Sequence, residues 1–183
     1  DEEGSGKDGT KYALTKLHQD GFRFKYGLVG EPTSTDTIGD TIKIGRRGSL
    51  SATIAVTGKQ GHVAYAHLAE NPVHIANNLL QMILSHPWAC NIPHFPATQC
   101  VCMQISADNI ALNVIPQRCW FSVNFRYSPS YTHQQLQNII NDLLAPYTKY
   151  IDIDWQHSAE PFYSPPAQFA ATCINAIQTY NPS

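Results

Sequence analysis

The chain has 183 residues, with 12 lysines and arginines against 14 aspartates and glutamates, a net charge of -2 and a charged share of 14%. That near-neutral balance provides no basic face for nucleic acid or an anionic membrane, and no apolar run approaches the ~20 residues that span a bilayer. The length slightly exceeds one ordinary domain, so one complete domain with part of another is expected. The chain opens directly on the acidic cluster Asp1-Glu2-Glu3, which reads as the middle of a domain and hence as a fragment. Its cysteines, Cys90, Cys100, Cys102, Cys119 and Cys173, lie mostly in apolar strand or helix patterns, so a reducing, cytoplasmic setting is expected. Cys100 and Cys102 stand two apart in a strand-like run without a second pair, which favours buried strand positions over a metal site.

Along the chain, Ala13, Leu14 and Leu17 recur at helical spacing from Thr10 to Gln19, and Gly21 stands where a left-handed residue ends a helix. Phe22, Phe24, Tyr26 and Leu28 alternate as a strand that runs into Gly30-Glu31-Pro32. Helix followed by strand is the order of an α/β sheet, whose sites lie at the carboxyl ends of strands. From Gly48 the texture changes. Leu50, Ala52, Ile54 and Val56 mark a half-buried strand ending at Gly58. Asn71-Pro72 then opens a helix with the stripe Val73, Ala76, Leu79, Leu80, Ile83 and Leu84. Residues 100–107 and 117–127 read as two further strands joined through Asn113-Val114-Ile115-Pro116. Thr132 caps a second helix carrying Leu136, Ile139, Ile140 and Leu143, and residues 150–157 close with Ile151, Ile153 and Trp155. The order is β-α-β-β-α-β, a ferredoxin-like sandwich with two helices on one face of a four-stranded antiparallel sheet. Residues 168–180 return to helical spacing. The fold class is thus α/β plus α+β: 1–47 part of one domain, 48–161 the sandwich, and 162–183 a return to the first domain.

Three residues stand out chemically. Glu2, Glu3 and Glu31 are carboxylates of the kind that hold divalent cations, and because neighbouring side chains diverge, one of the adjacent pair is free to move a proton. Taken alone, Glu2 and Glu3 read more readily as solvated charges before a loop. Arg46 and Arg47 lie between glycines, where a planar guanidinium can grip a carboxylate at two points. A surface arginine pair is the plain alternative.

The segments Asp1-Glu2-Glu3-Gly4, Val29-Gly30-Glu31-Pro32-Thr33, Gly45-Arg46-Arg47-Gly48-Ser49, Gly61-His62-Val63-Ala64-Tyr65-Ala66-His67, Asn71-Pro72 and Asn113-Val114-Ile115-Pro116 stand in order along the chain. Together they resemble the di-zinc amidohydrolases of the aminoacylase and carboxypeptidase family. The resemblance implies two Zn2+ ions, or Co2+, per subunit of a full-length enzyme, with Glu3 and Glu31 as metal ligands and Glu2 as the general base. It implies that His62 reaches across a homodimer, formed by residues 48–161, to polarise the substrate carbonyl in the partner's site. Tyr65 and Asn113 are implied beside it, and Arg46, Ser49 and Arg126 as substrate-binding residues. The implied reaction is hydrolysis of a small N-acyl amino acid, foremost an N-succinyl diamino dicarboxylate. Acetylornithine, other N-acyl amino acids and dipeptides are the sibling substrates, and a noncatalytic dimerisation module is the reading from a different class. Ala66 replaces a proline of close relatives, and residues 108–112 replace a glycine- and serine-containing turn. The family's His-x-Asp motif, bridging aspartate and later histidine have no counterpart here. The chain alone is therefore expected to bind zinc weakly and to be catalytically inert.

Overall fold

The computed structural model describes residues 9–89, 91–93, 95–108 and 111–180. The elements are α1 (Thr10–Gln19), β1 (Gly45–Arg46), β2 (Gly48–Thr57), β3 (Gly61–His62), α2 (Pro72–Ser85), β4 (Gln99–Ala107), β5 (Val114–Ile115), β6 (Arg118–Tyr127), α3 (His133–Leu144), β7 (Ile151–Ala159), β8 (Phe162–Tyr163) and α4 (Gln168–Tyr180). Two 3-10 segments, Val63–Leu68 and Ala145–Tyr150, fall between them. The chain divides into two compact units, residues 43–165 and residues 1–42 with 166–183.

In the larger unit the strands lie in the order β4-β6-β2-β7, all neighbours antiparallel. This is the βαββαβ sandwich that the sequence pattern predicts. Alternation directs Leu50, Ala52, Ile54 and Val56 of β2, with Phe121, Val123, Phe125 and Tyr127 of β6, to one face, where all are buried. That face is covered by Ala76, Leu79 and Ile83 of α2 and by Leu136, Ile140 and Leu144 of α3. The helices begin where their caps dictate: Asn71 Oδ1 accepts from the Val73 N–H at 3.0 Å, and Thr132 forms a reciprocal capping box with Gln135. Gly48, opposite Tyr127 in the ladder, is needed because a Cβ there would overlap the Tyr127 ring. Cys100 and Cys102 pack against the core. Burial, with Cys102 nearby, pushes the partly buried Cys100 thiol up to about 12, so it is neutral at physiological pH.

In the smaller unit, α1 spans its expected residues and Gly21 takes a φ of +92°. Residues 22–28 differ from expectation. They enter no ladder among the described residues, and Phe22, Phe24, Tyr26 and Leu28 are exposed. Alternation marks a segment fit to be a strand, but a strand also needs a neighbour to bond its backbone, and every described ladder is made by other segments. Tyr26 instead stacks on Phe169 of α4, with centroids 4.4 Å apart.

The loop after Glu31-Pro32 is closed by Asp40. Its Oδ1 accepts from the Thr35 N–H at 2.9 Å, and its Oδ2 from the Asp36 and Thr37 N–H groups at 2.8 and 3.0 Å. Thr33 Oγ1 donates to the Thr41 carbonyl at 2.6 Å, tying the loop ends together. Gly39 has a φ of +85°, and a Cβ there would overlap Ile177 of α4. The three backbone donors hold the Asp40 carboxyl well below the usual carboxylate range.

Two outcomes follow from this packing. Phe121→Ala, at a fully buried position, is expected to cost about 3–5 kcal/mol in denaturant unfolding; a loss below about 1 kcal/mol would contradict the core placement. Because the Asp40 pKa is depressed in the folded chain, its contribution is complete above about pH 4 and is lost as the pH falls below the unfolded value. The Thr35, Asp36 and Thr37 amide resonances of the folded chain should therefore hold their positions through the usual carboxylate range, at about pH 4, and shift only well below it. In Asp40→Ala they should be displaced at every pH.

Candidate functional site

β2 and β6 continue past the main sheet into a narrower ribbon. Thr57 pairs with Arg118, and after one further backbone bond, Gly58 N–H to the Gln117 carbonyl at 2.9 Å, Gly61 pairs with Ile115 and His62 with Val114. Four positions along one strand are matched by three along the other, so the ribbon carries a one-residue offset. Beyond it the Val63 N–H donates to the Asn113 carbonyl at 3.0 Å. This brings together side chains that lie 51 positions apart: His62 Nε2 is 3.4 Å from the Asn113 side-chain amide.

The other ring nitrogen is already engaged. The Ala64 N–H donates to His62 Nδ1 at 3.1 Å, so a neutral imidazole carries its proton on Nε2. Tyr65 lies beside the ring, with centroids 6.1 Å apart and planes tilted by 55°. His62, Tyr65 and Asn113 are exposed, and Asn113 Nδ2, 3.4 Å from His62 Nε2, is itself a donor, so the two N–H groups stand side by side without bonding each other and face outward. The arrangement can donate one hydrogen bond to an external oxygen. His62, Tyr65 and Asn113, all singled out from the sequence, thus stand together.

A second group lies on the sheet face away from the helices. Ser49, Arg126 and Gln99 are cross-strand neighbours on β2, β6 and β4. Ser49 is buried, and Asn124 Nδ2 lies 3.3 Å from its Oγ and 2.9 Å from Ser51 Oγ. Arg47 donates from Nη1 to Gln99 Oε1 at 2.9 Å. Arg46 is exposed on β1, its guanidinium 5.9 Å from the centre of the Phe162 ring. Arg126 in this row and Arg46 on the separate strand β1 are open to solvent, whereas Arg47 is partly buried against Gln99. Gln99 and Asn124 were not legible as partners, because their only signal is register across strands distant in sequence.

Of the three carboxylates, Glu2 and Glu3 lie outside the described residues. Glu31 is exposed, its N–H donating to the Val29 carbonyl at 3.1 Å. An open carboxylate fits as one oxygen ligand to a borderline cation, but zinc centres take three or four protein ligands, so Glu31 is not a site by itself.

Residues 44–151 match the family described as the peptidase dimerisation domain. The chain is 40% identical over 179 residues to a succinyl-diaminopimelate desuccinylase of Ruthia magnifica subsp. Calyptogena magnifica, covering 98% of this chain and 48% of that protein. It is 41% identical over 183 residues to one of Psychrobacter arcticus, covering 98% and 45%. The chain thus spans about half the length of these relatives. Among solved structures, an M20 family metallo-carboxypeptidase from Sulfolobus solfataricus matches with a TM-score of 0.60 at 11% identity, covering 74% of this chain and 43% of that one. A tripeptidase from Staphylococcus aureus matches at 0.58 and 10%, covering 76% and 37%. At such identities the likeness is one of fold. The family match spans more than half of the chain, from β1 through α3 to the first residue of β7: this chain belongs to the M20 peptidase dimerisation domain family.

Proposed function

We propose that this chain belongs to a zinc-dependent amidohydrolase that cleaves N-succinyl-LL-2,6-diaminopimelate to succinate and LL-diaminopimelate, in lysine and cell-wall precursor synthesis. The observation that carries this reading is the outward Nε2–H of His62, held beside Asn113 and Tyr65 on a ribbon of the dimerisation fold. The identity of about 40% to two desuccinylases supports it. In this reading residues 1–47 and 162–183 belong to the catalytic domain, and 48–161 pair two cytoplasmic subunits as a homodimer. Two Zn2+ or Co2+ ions, when bound, would supply a water of lowered pKa. Glu3 and Glu31 are ligands, and Glu2 carries a proton to the leaving amine. His62 donates to the carbonyl oxygen in the partner's site as negative charge develops there. Arg46 and Arg126, with Ser49, hold the carboxylates of the substrate.

Substrate class is tested on the full-length enzyme with zinc by comparing kcat/KM for N-succinyl and N-acetyl diamino acids. The succinyl compound should lead by at least ~10-fold, since a site built to bind a charged group strongly rejects an analogue lacking it. Preference for acetylornithine or a dipeptide points to a sibling hydrolase, and inertness toward every N-acyl amino acid points to a noncatalytic module. The trans role of His62 has its own test. His62→Ala should lower kcat by roughly 100-fold or more, and Glu2→Gln should abolish turnover. Co-refolding these two variants should restore activity, because the His62→Ala subunit keeps its own Glu2 and borrows the histidine of the Glu2→Gln subunit. No recovery in mixed dimers would exclude action across the dimer.

A further inference from the structure

The end of the sheet where β6, β7 and the start of α3 meet gathers a second set of ligand-type side chains. His133 is the first residue of α3, held there by the Thr132 cap. His157 lies near the end of β7, on the helix-covered face opposite Leu50, just before the register with β2 shifts. Glu160 follows in the connection to β8. The two imidazoles stack with centroids 4.3 Å apart and planes at 20°. Glu160 Oε1 bonds His133 Nδ1 and lies 3.6 Å from His157 Nε2. These three ligand atoms all fall within 4.8 Å of one another.

The buried Tyr127 hydroxyl has a single proton, yet it lies 3.1 Å from both the Ala159 carbonyl and Glu160 Oε2, and 3.3 Å from His157 Nε2. Burial pushes the Glu160 carboxyl up, but hydrogen bonds from His133 and Tyr127 and the nearby imidazoles outweigh it and hold the group below its usual range. Tetrahedral zinc, with bonds of ~2.1 Å, holds its ligand atoms ~3.4 Å apart. The present separations reach that geometry by splaying the two rings and turning an exposed carboxylate.

We propose that His133, His157 and Glu160 form a divalent transition-metal site of the zinc class, with Tyr127 as the outer partner of Glu160. Two imidazoles and one carboxylate are a zinc-type ligand set with a fourth position open to water. The ion clips the start of α3 to the end of β7. It is separate from the catalytic zinc proposed above, and its test does not depend on turnover.

The metal-free 183-residue chain is titrated with Co2+ and followed by visible absorption and thermal unfolding. The expected result is one equivalent of Co2+ with the intense d–d bands of a four-coordinate ion, and a higher Tm. Glu160→Gln and His157→Ala should each abolish the bands or weaken binding by at least ~100-fold, and Tyr127→Phe, which removes an outer partner, by ~10–100-fold. Far-UV circular dichroism of each metal-free variant checks its fold, and Glu160→Gln, an exposed isosteric change, carries the test if either of the others misfolds. Absence of the bands at millimolar Co2+, or bands unchanged in Glu160→Gln, overturns the proposal and leaves a hydrogen-bonded cluster only.

Discussion

The β2–β6 register is the constraint on which the remaining structure depends. Pairing runs without interruption from Gly48 opposite Tyr127 to Thr57 opposite Arg118, and because side chains alternate, that single register decides which residues are core and which are surface. A slip of one position would send Leu50, Ile54, Phe121 and Phe125 to solvent and bring Ser49, Thr53, Asn124 and Arg126 under the helices. The cost of burying those polar groups without partners, added to the loss of apolar burial, exceeds the few kcal/mol by which an ordinary domain is stable. The two helices reinforce the choice, since their apolar stripes have no other surface of the sandwich to cover.

The same strand pair shapes both of its ends. At one end the ladder crosses a one-residue offset and continues as β3 and β5, carrying His62 to Asn113. At the other it closes on Gly48 and Tyr127, whose hydroxyl reaches Glu160 and His157. Side chains with chemistry thus sit at the two extremities of a rigid ribbon, where backbone geometry is determined by the sheet but the side chains still meet solvent. The sheet face away from the helices carries a polar row, including Ser49, Asn124 and Arg126, that the core does not require.

Local signals account for most of the elements. Asn71-Pro72 and Thr132 with Gln135 mark helix starts because a capping side chain satisfies backbone donors within three residues of itself. The strands of the sandwich were legible because half of their residues had to be apolar. Residues 22–28 show the same alternation and form no ladder, since a pattern states only what a strand would bury and not whether a partner is there. The grouping of His62, Tyr65 and Asn113 was legible through the motifs around them, whereas Gln99 and Asn124 carry no motif at all.

His133 and His157 show where sequence reasoning ends. Each reads alone as an ordinary polar histidine, and the three-residue interval from His157 to Glu160 would put those two on opposite faces of a continued strand. What the amino-acid order determined by itself was everything set by near neighbours: caps, periodicity, the glycine positions, and hence the βαββαβ order. What the tertiary structure decided was which distant residues touch, because β7 pairs with β2 rather than with β6, its predecessor among the long strands. That crossover follows from burying two helices on one sheet face, a global condition that no short stretch of chain contains.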